Sequence, residues 1–146
     1  MRVIESSVVI SATPTQTWLV YSEVVQWPEW MPTVTRVDAL DSRELKLGAR
    51  YRISQPKLHT TIWSITELTP PYSFSWKSRS SGICVEGRHT IDEISPAETR
   101  ATSRIVLSGP LNWLAAMFLG RLTQDYLSRE PAALKRTVEG VKSLLG

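Results

Sequence analysis

The alternation of apolar and polar positions divides the chain into three zones. Residues 2–10, Arg-Val-Ile-Glu-Ser-Ser-Val-Val-Ile, are rich in β-branched side chains and predict a strand. Between 33 and 108 apolar residues recur at every second position, which predicts six strands at about 34–40, 49–55, 60–69, 72–78, 83–94 and 98–107. The clearest is 72–78, where Tyr72, Phe74 and Trp76 share one face and Ser73, Ser75 and Lys77 the other. After Gly109-Pro110 the period lengthens to that of a helix running to about residue 145. Leu111, Leu114, Phe118, Leu122 and Tyr126 form its apolar stripe, and Leu134, Val138, Val141 and Leu145 continue it. Pro131 is expected to kink or break this helix, because it offers no N–H.

The first junction carries helix chemistry. Thr13-Pro14-Thr15-Gln16 combines a capping threonine, a proline at the first helical position and a glutamine placed to close a capping box, so a short helix should run to about Tyr21. A second helical piece at 23–26 should end near Trp27, since Pro28 disfavours the α conformation before it. Residues 27–32, Trp-Pro-Glu-Trp-Met-Pro, then read as a stiff aromatic loop. Turn signals such as Asp41-Ser42, Gly48, Gln55-Pro56, Pro70-Pro71, Ser81-Gly82 and Ser95-Pro96 fall between the later strands. Connections this short, with no crossover helices, predict an antiparallel meander within a single α+β domain.

Composition narrows the function classes. With 146 residues, 42% hydrophobic, the chain is large enough for one real core, with or without a pocket in it. The single cysteine, Cys84, excludes an internal disulfide and fits a reducing, cytoplasmic setting. The net charge of +3 comes from scattered basic residues rather than a stripe, which argues against nucleic-acid binding. Glu5, Ser6 and Ser7 interrupt any secretory signal layout. The longest apolar run, 113–119, falls far short of the ~20 residues of a membrane span. Two histidines thirty positions apart, His59 and His89, make a poor metal set. Neither a nucleophile elbow, a phosphate-binding loop nor a dinucleotide fingerprint is present, so no metal, flavin or nicotinamide cofactor is expected.

The order strand, two short helices, six strands, long helix resembles the START-like helix-grip superfamily (SRPBCC), in its polyketide cyclase/dehydratase-like branch. The resemblance is carried by Ile10-Ser-Ala-Thr-Pro-Thr-Gln-Thr-Trp18, by Val24-Val-Gln-Trp-Pro-Glu-Trp-Met-Pro32, and by Trp63-Ser-Ile-Thr-Glu67, Phe74-Ser-Trp76 and Gly109-Pro-Leu111. It spans essentially the whole chain. It implies a curved seven-stranded antiparallel sheet wrapped around the C-terminal helix, with an elongated apolar cavity between them. Members of the superfamily bind lipids, hormones or polyketides there, and some are cyclases or dehydratases.

With that face taken as concave, alternation points Tyr51, Ile53 and Gln55, then Trp63 and Ile65, then Phe74 and Trp76 inward. Val85, Gly87, His89 and Ile91 follow on the next strand, and Ser103, Ile105 and Leu107 on the last. Leu114 and Phe118 of the long helix would close the pocket; Trp27 and Trp30 either pack under the sheet edge as a plug or flank the cavity mouth, and Met31, Trp113 and Met117 can belong to the same rim. His89 is the candidate for acid–base chemistry, since its ordinary pKa suits proton transfer and Gly87 would leave space beside it. A histidine simply hydrogen-bonded in the core is the alternative. Gln55 and Tyr51 can hydrogen-bond a ligand or merely satisfy the strand end. Cys84 falls on the opposite face, as do Glu86, Arg88, Asp92 and Arg104.

Three functions remain open: a binding module or carrier for an apolar small molecule, a cyclase or dehydratase using His89, and an interaction protein using the apolar surface of 111–119. The last is favoured if those helix hydrophobics are exposed in the monomer, and the first two if they are buried. A monomer and a homodimer are equally compatible with the sequence.

Overall fold

The seven strands form one antiparallel sheet in the order β1-β7-β6-β5-β4-β3-β2. The structure, a computed structural model, describes residues 2–145, and the side chain of Leu145, expected on the helix stripe, lies outside the described residues. The strands are β1 (Arg2–Ile10), β2 (Arg36–Ala39), β3 (Arg50–Ser54), β4 (Thr61–Thr69), β5 (Ser73–Ser80), β6 (Ile83–Ser95) and β7 (Glu98–Ser108). Only β1 leaves the meander order, crossing to pair with β7 from Arg2↔Leu107 to Ile10↔Thr99.

Helix α1 (Pro14–Tyr21) starts as its sequence dictates: the Thr13 hydroxyl accepts from the Gln16 N–H at 3.2 Å, and the Gln16 side chain accepts from the Thr13 N–H at 2.9 Å. A 3₁₀ turn (Val24–Gln26) leads into a one-turn helix α2 (Trp27–Trp30) where a loop was expected. Trp27 adopts the α conformation despite Pro28. Its indole is 1% exposed and donates to the Tyr21 carbonyl at 3.0 Å, so burial and a hydrogen bond outweigh the local steric preference.

The long helix α3 (Asn112–Leu145) is continuous through Pro131, contrary to a break. Losing the bond from residue 131 to the Leu127 carbonyl is offset by tertiary packing, for Tyr126, Leu127, Ala133, Leu134 and Val138 are all buried around it. α3 packs chiefly on β1 and β7. Its C-terminal half is tied to the end of β1: Lys135 Nζ donates to the Val9 carbonyl at 2.9 Å, Lys142 Nζ to the Ser11 carbonyl at 2.8 Å, and the Ser11 N–H to Glu139 at 2.8 Å. The Tyr126 hydroxyl donates to the Pro56 carbonyl, bridging α3 to the loop between β3 and β4.

At the other end the Leu111 N–H donates to the Gly82 carbonyl at 2.8 Å. Gly109 has φ +97°, and a Cβ there would sit 2.6 Å from the Gly82 oxygen, so only glycine allows the close approach that pins the start of α3 to the β5–β6 turn. The expected stripe holds from Tyr126 through Leu134 to Val138 but not on either side, for Val141 is 42% exposed. Leu114 and Leu122 are half-buried, Leu111 is exposed, and Phe118 is 74% exposed.

Candidate functional site

Alternation delivers His89 to the concave face, and the sheet register sets its neighbours. His89 pairs with Phe74 across to β5 and with Ser103 across to β7. Its ring stacks on Phe74 at 4.2 Å between centroids and 14° between planes, while Trp76, Tyr21 and Trp27 approach edge-on at 5.1, 5.4 and 5.8 Å. Only 5% of the residue is exposed. Nδ1 lies 3.2 Å from the Phe74 carbonyl, which can only accept, so Nδ1 carries the proton and Nε2 offers its lone pair. Nε2 has no hydrogen-bond partner among the described residues. Burial pulls the imidazole down to about 4, so it is neutral at pH 7.

Beside it, the Tyr21 and Ser103 hydroxyls are hydrogen-bonded at 2.7 Å. Burial, seconded by the nearby Glu130 carboxylate, raises the Tyr21 phenol well above its ordinary value. Glu130 on α3 is half-buried and makes no hydrogen bond or ion pair among the described residues; burial pushes its carboxyl up to about 7. The cluster therefore holds a neutral imidazole acceptor set in aromatic walls and a hydroxyl pair, with the Glu130 carboxyl, which titrates near neutrality, close enough to act on Tyr21.

Neither Tyr21 nor Glu130 was singled out from the sequence. Glu130 carried a signal all the same, because it stands four residues after Tyr126 and four before Leu134, on the apolar stripe itself. Tyr21 closes α1, whose buried face is Pro14, Thr17 and Tyr21.

Of the predicted lining, Tyr51, Ile53, Ile65, Phe74, Trp76, Gly87, His89, Ile91, Ser103 and Leu107 are buried, and Trp63, Val85 and Ile105 half-buried. The space expected beside Gly87 is taken by an indole: a Cβ at Gly87 would lie 2.6 Å from Trp76 Nε1. Tyr51 and Gln55 spend their polar groups on the backbone. The Tyr51 hydroxyl donates to the Glu44 carbonyl at 2.9 Å and the Gln55 amide to the Thr33 carbonyl at 3.0 Å. Trp27 is the plug, with half-buried Trp30 against it at 6.3 Å. Met31 is 1% exposed within the core, whereas Trp113 and Met117 are 58% and 63% exposed on α3, so the three share no rim. Arg88 pairs with Glu86, and Arg104 lies 3.6 Å from Glu5, both as outward charges.

A groove of about 370 Å³ opens between the start of β1 and α3, lined by Arg2, Ile4 and residues of α3 from Ala116 to Gln124. Ile4 on its floor is the first residue of one row across the concave face of the sheet. Ile4 pairs with Ile105, Ile105 with Gly87, and Gly87 with Trp76. At about 4.8 Å per strand, the groove floor is about 14 Å from the Trp76–His89 cluster. Phe118, expected to face the sheet, instead forms part of the groove's outer wall. Among the described residues no group of three or more His, Cys, Asp or Glu is placed to hold a metal ion, and no helix is long and apolar enough to cross a membrane.

The chain shares its architecture with solved structures of low sequence identity. The Zhui aromatase/cyclase from Streptomyces sp. R1128 superposes with a TM-score of 0.75 at 15% identity, over 94% of this chain and 93% of that one. A START superfamily protein from Mycobacterium smegmatis gives 0.72 at 15%, over 95% and 98%. Norcoclaurine synthase from Thalictrum flavum, in complex with dopamine and hydroxybenzaldehyde, gives 0.71 at 11%, over 95% and 87%. No curated protein sequence matches the chain. Residues 1–139 match the sequence model of one family, and the chain belongs to it: polyketide cyclase/dehydrase and lipid transport.

Proposed function

We propose that this protein binds an apolar small molecule, lipid- or polyketide-like, between the sheet and α3, with His89 as its principal polar contact. The observation that carries the reading is the neutral His89, its Nε2 without a hydrogen-bond partner among the described residues, packed edge-on against Trp76, the inner end of the row that begins in the groove at Ile4. Small-molecule sites are built this way, mostly apolar with a few fixed polar groups. A carbonyl-free hydroxyl on the ligand would donate to Nε2, and the Tyr21–Ser103 pair can take a second polar group. The same proposal places the protein in the cytoplasm, as its lone cysteine predicts.

The low imidazole pKa favours binding over catalysis by His89. General acids and bases work best with pKa values near the operating pH, and a base near 4 is weak at neutrality. The exposure of Trp113, Met117, Phe118 and Leu119 supports the interaction reading of 111–119 rather than a pocket closed by that part of α3, so the ligand reading rests on the His89 cluster and not on those residues. One observation supports a cyclase- or dehydratase-type enzyme. Glu130, near 7, is matched to proton transfer, and in that case it, not His89, would move the proton.

Binding of the apolar fluorophore 1-anilinonaphthalene-8-sulfonate tests the first reading. His89→Gln should leave probe affinity within about tenfold of the parent, the scale of one net hydrogen bond. Stoichiometric binding that is blocked by Ile105→Trp, which fills the row, supports the site. Binding unaffected by that change would contradict it.

A further inference from the structure

We propose that the end of the molecule formed by the first half of α3 and the start of β1 docks on an anionic lipid surface. This goes beyond the ligand reading and does not depend on it, since docking needs no occupant in the groove.

The face is apolar, exposed and held in place. Trp113, Met117, Phe118 and Leu119 are 58%, 63%, 74% and 41% exposed, and residues 112–120 contain no charged side chain. An exposed aromatic cluster of this kind is normally an interaction site. It is presented on a regular helix whose start is anchored by the Leu111 N–H to the Gly82 carbonyl.

Charge identifies the occupant. Arg2 and Arg121 flank the apolar residues as linings of the same groove, and a Cβ on Gly120 would lie 3.8 Å from the Arg2 guanidinium. Neither arginine pairs with a carboxylate among the described residues. From Thr99 to Gln124 the sequence has no aspartate or glutamate at all. Carboxylates on the adjoining elements pair with other basic residues: Glu5 with Arg104, Glu86 with Lys77 and Arg88, and Asp125 with Arg129.

A second copy packed on this face across a two-fold axis would bring unpaired arginines together with no acid to neutralise them. Lipid phosphates supply the missing anions, and guanidinium groups bind them in bidentate fashion. Trp113, Met117 and Phe118 exposed on the uncharged first turns of α3, with Arg121 following them and Arg2 of β1 alongside, combine the apolar and basic residues of segments that seat in the membrane interface without crossing it. The groove would then open toward the lipid phase.

The test is flotation of the full chain with vesicles of phosphatidylcholine containing about one-third phosphatidylglycerol, against pure phosphatidylcholine. The expected result is binding at least about tenfold tighter to the anionic vesicles, weakened by 0.5 M salt. Phe118→Glu should abolish it, and Arg121→Gln should weaken it about fivefold. Both should leave the thermal melt unchanged, because both side chains are exposed. Leu19→Glu, at a 65% exposed leucine on α1, should bind as the parent does.

Absence of a preference for anionic vesicles would overturn the proposal, as would equal losses from Leu19→Glu and Phe118→Glu. So would a dimer in sedimentation equilibrium that Phe118→Glu dissociates, since the face would then belong to a second copy. Failure of vesicle binding with retained fluorophore binding would remove docking alone and leave the ligand site standing.

Discussion

Gly87→Ala is the smallest change that probes the packing of the site. A Cβ at this position would lie 2.6 Å from Trp76 Nε1 and 2.9 Å from Cδ1, against the 3.5–4 Å of ordinary contact between heavy atoms. The indole has nowhere to retreat, for Trp27, Trp63, Phe74 and His89 surround it at centroid distances of 5.4, 5.6, 5.5 and 5.1 Å. Overpacking of this kind costs about 1–3 kcal/mol. Replacing glycine in a strand returns about 0.5–1 kcal/mol of backbone entropy. The net expectation, about 1–2 kcal/mol of destabilisation, lowers the melting temperature by about 3–8 °C in a domain of this size. Urea melts followed by far-UV circular dichroism give the free energy, and near-UV spectra report the displaced indole. Trp76→Phe removes the clashing ring edge, so Gly87→Ala should cost less in that background. Undiminished stability in the single variant, or strict additivity with Trp76→Phe, would refute the reasoning.

Trp76→Ala should cost about 3–5 kcal/mol in a urea melt, as expected for a large core ring; a cost below about 1 kcal/mol would mean the indole borders open space. Tyr21→Phe should cost about 1–2 kcal/mol by stranding the Ser103 hydroxyl, and adding Ser103→Ala should recover part of it. Denaturant melts of wild type, His89→Gln and Glu130→Gln across pH 4–8 separate the two buried titrations. The native His89 titrates near 4, below the 6.5 of an unfolded histidine, so its contribution is complete above pH 6.5 and erodes by up to about 3 kcal/mol as pH falls toward 4. Glu130 has the opposite sign: native near 7 against 4.5 unfolded, it loses stability as pH rises from 4.5 to 7, by about 1–2 kcal/mol once its partial exposure is discounted. Between pH 4.5 and 6.5 the two slopes oppose each other in the wild type, so the signal lies in the differences between variants and parent, and flat differences would contradict the assignments.

Elements with an unbroken period were legible in the sequence. The strands predicted at 49–55, 60–69 and 83–94 occur at Arg50–Ser54, Thr61–Thr69 and Ile83–Ser95, because alternation is set by which face is buried. The cap at Thr13 was legible because its chemistry is local. Features decided by tertiary contact were not. Trp27 forms a helical turn before a proline because of a bond to Tyr21, and α3 crosses Pro131 because the residues around it are buried.

The same division runs through the site. His89, Phe74, Trp76 and Ser103 followed from alternation on one face. The fate of Gly87's space depended on where the Trp76 ring turned, which periodicity does not encode. Phe118 shows the limit of a helical stripe: it lies on the same face as Tyr126, but the first half of α3 borders a groove instead of the sheet. Glu130 was hidden by its own type, since an acidic residue on an apolar stripe reads as an interruption until the helix is docked.

The central claim is that an apolar molecule binds between the sheet and α3, along the row from Ile4 to Trp76, with His89 beside it as the polar contact. Native mass spectrometry of the protein purified from its own host tests it most directly, followed by extraction and identification of whatever co-purifies. The account predicts one apolar molecule per chain, released on unfolding and lost from Ile105→Trp. A bare protein that also fails to take up an apolar fluorophore at one-to-one stoichiometry would contradict it.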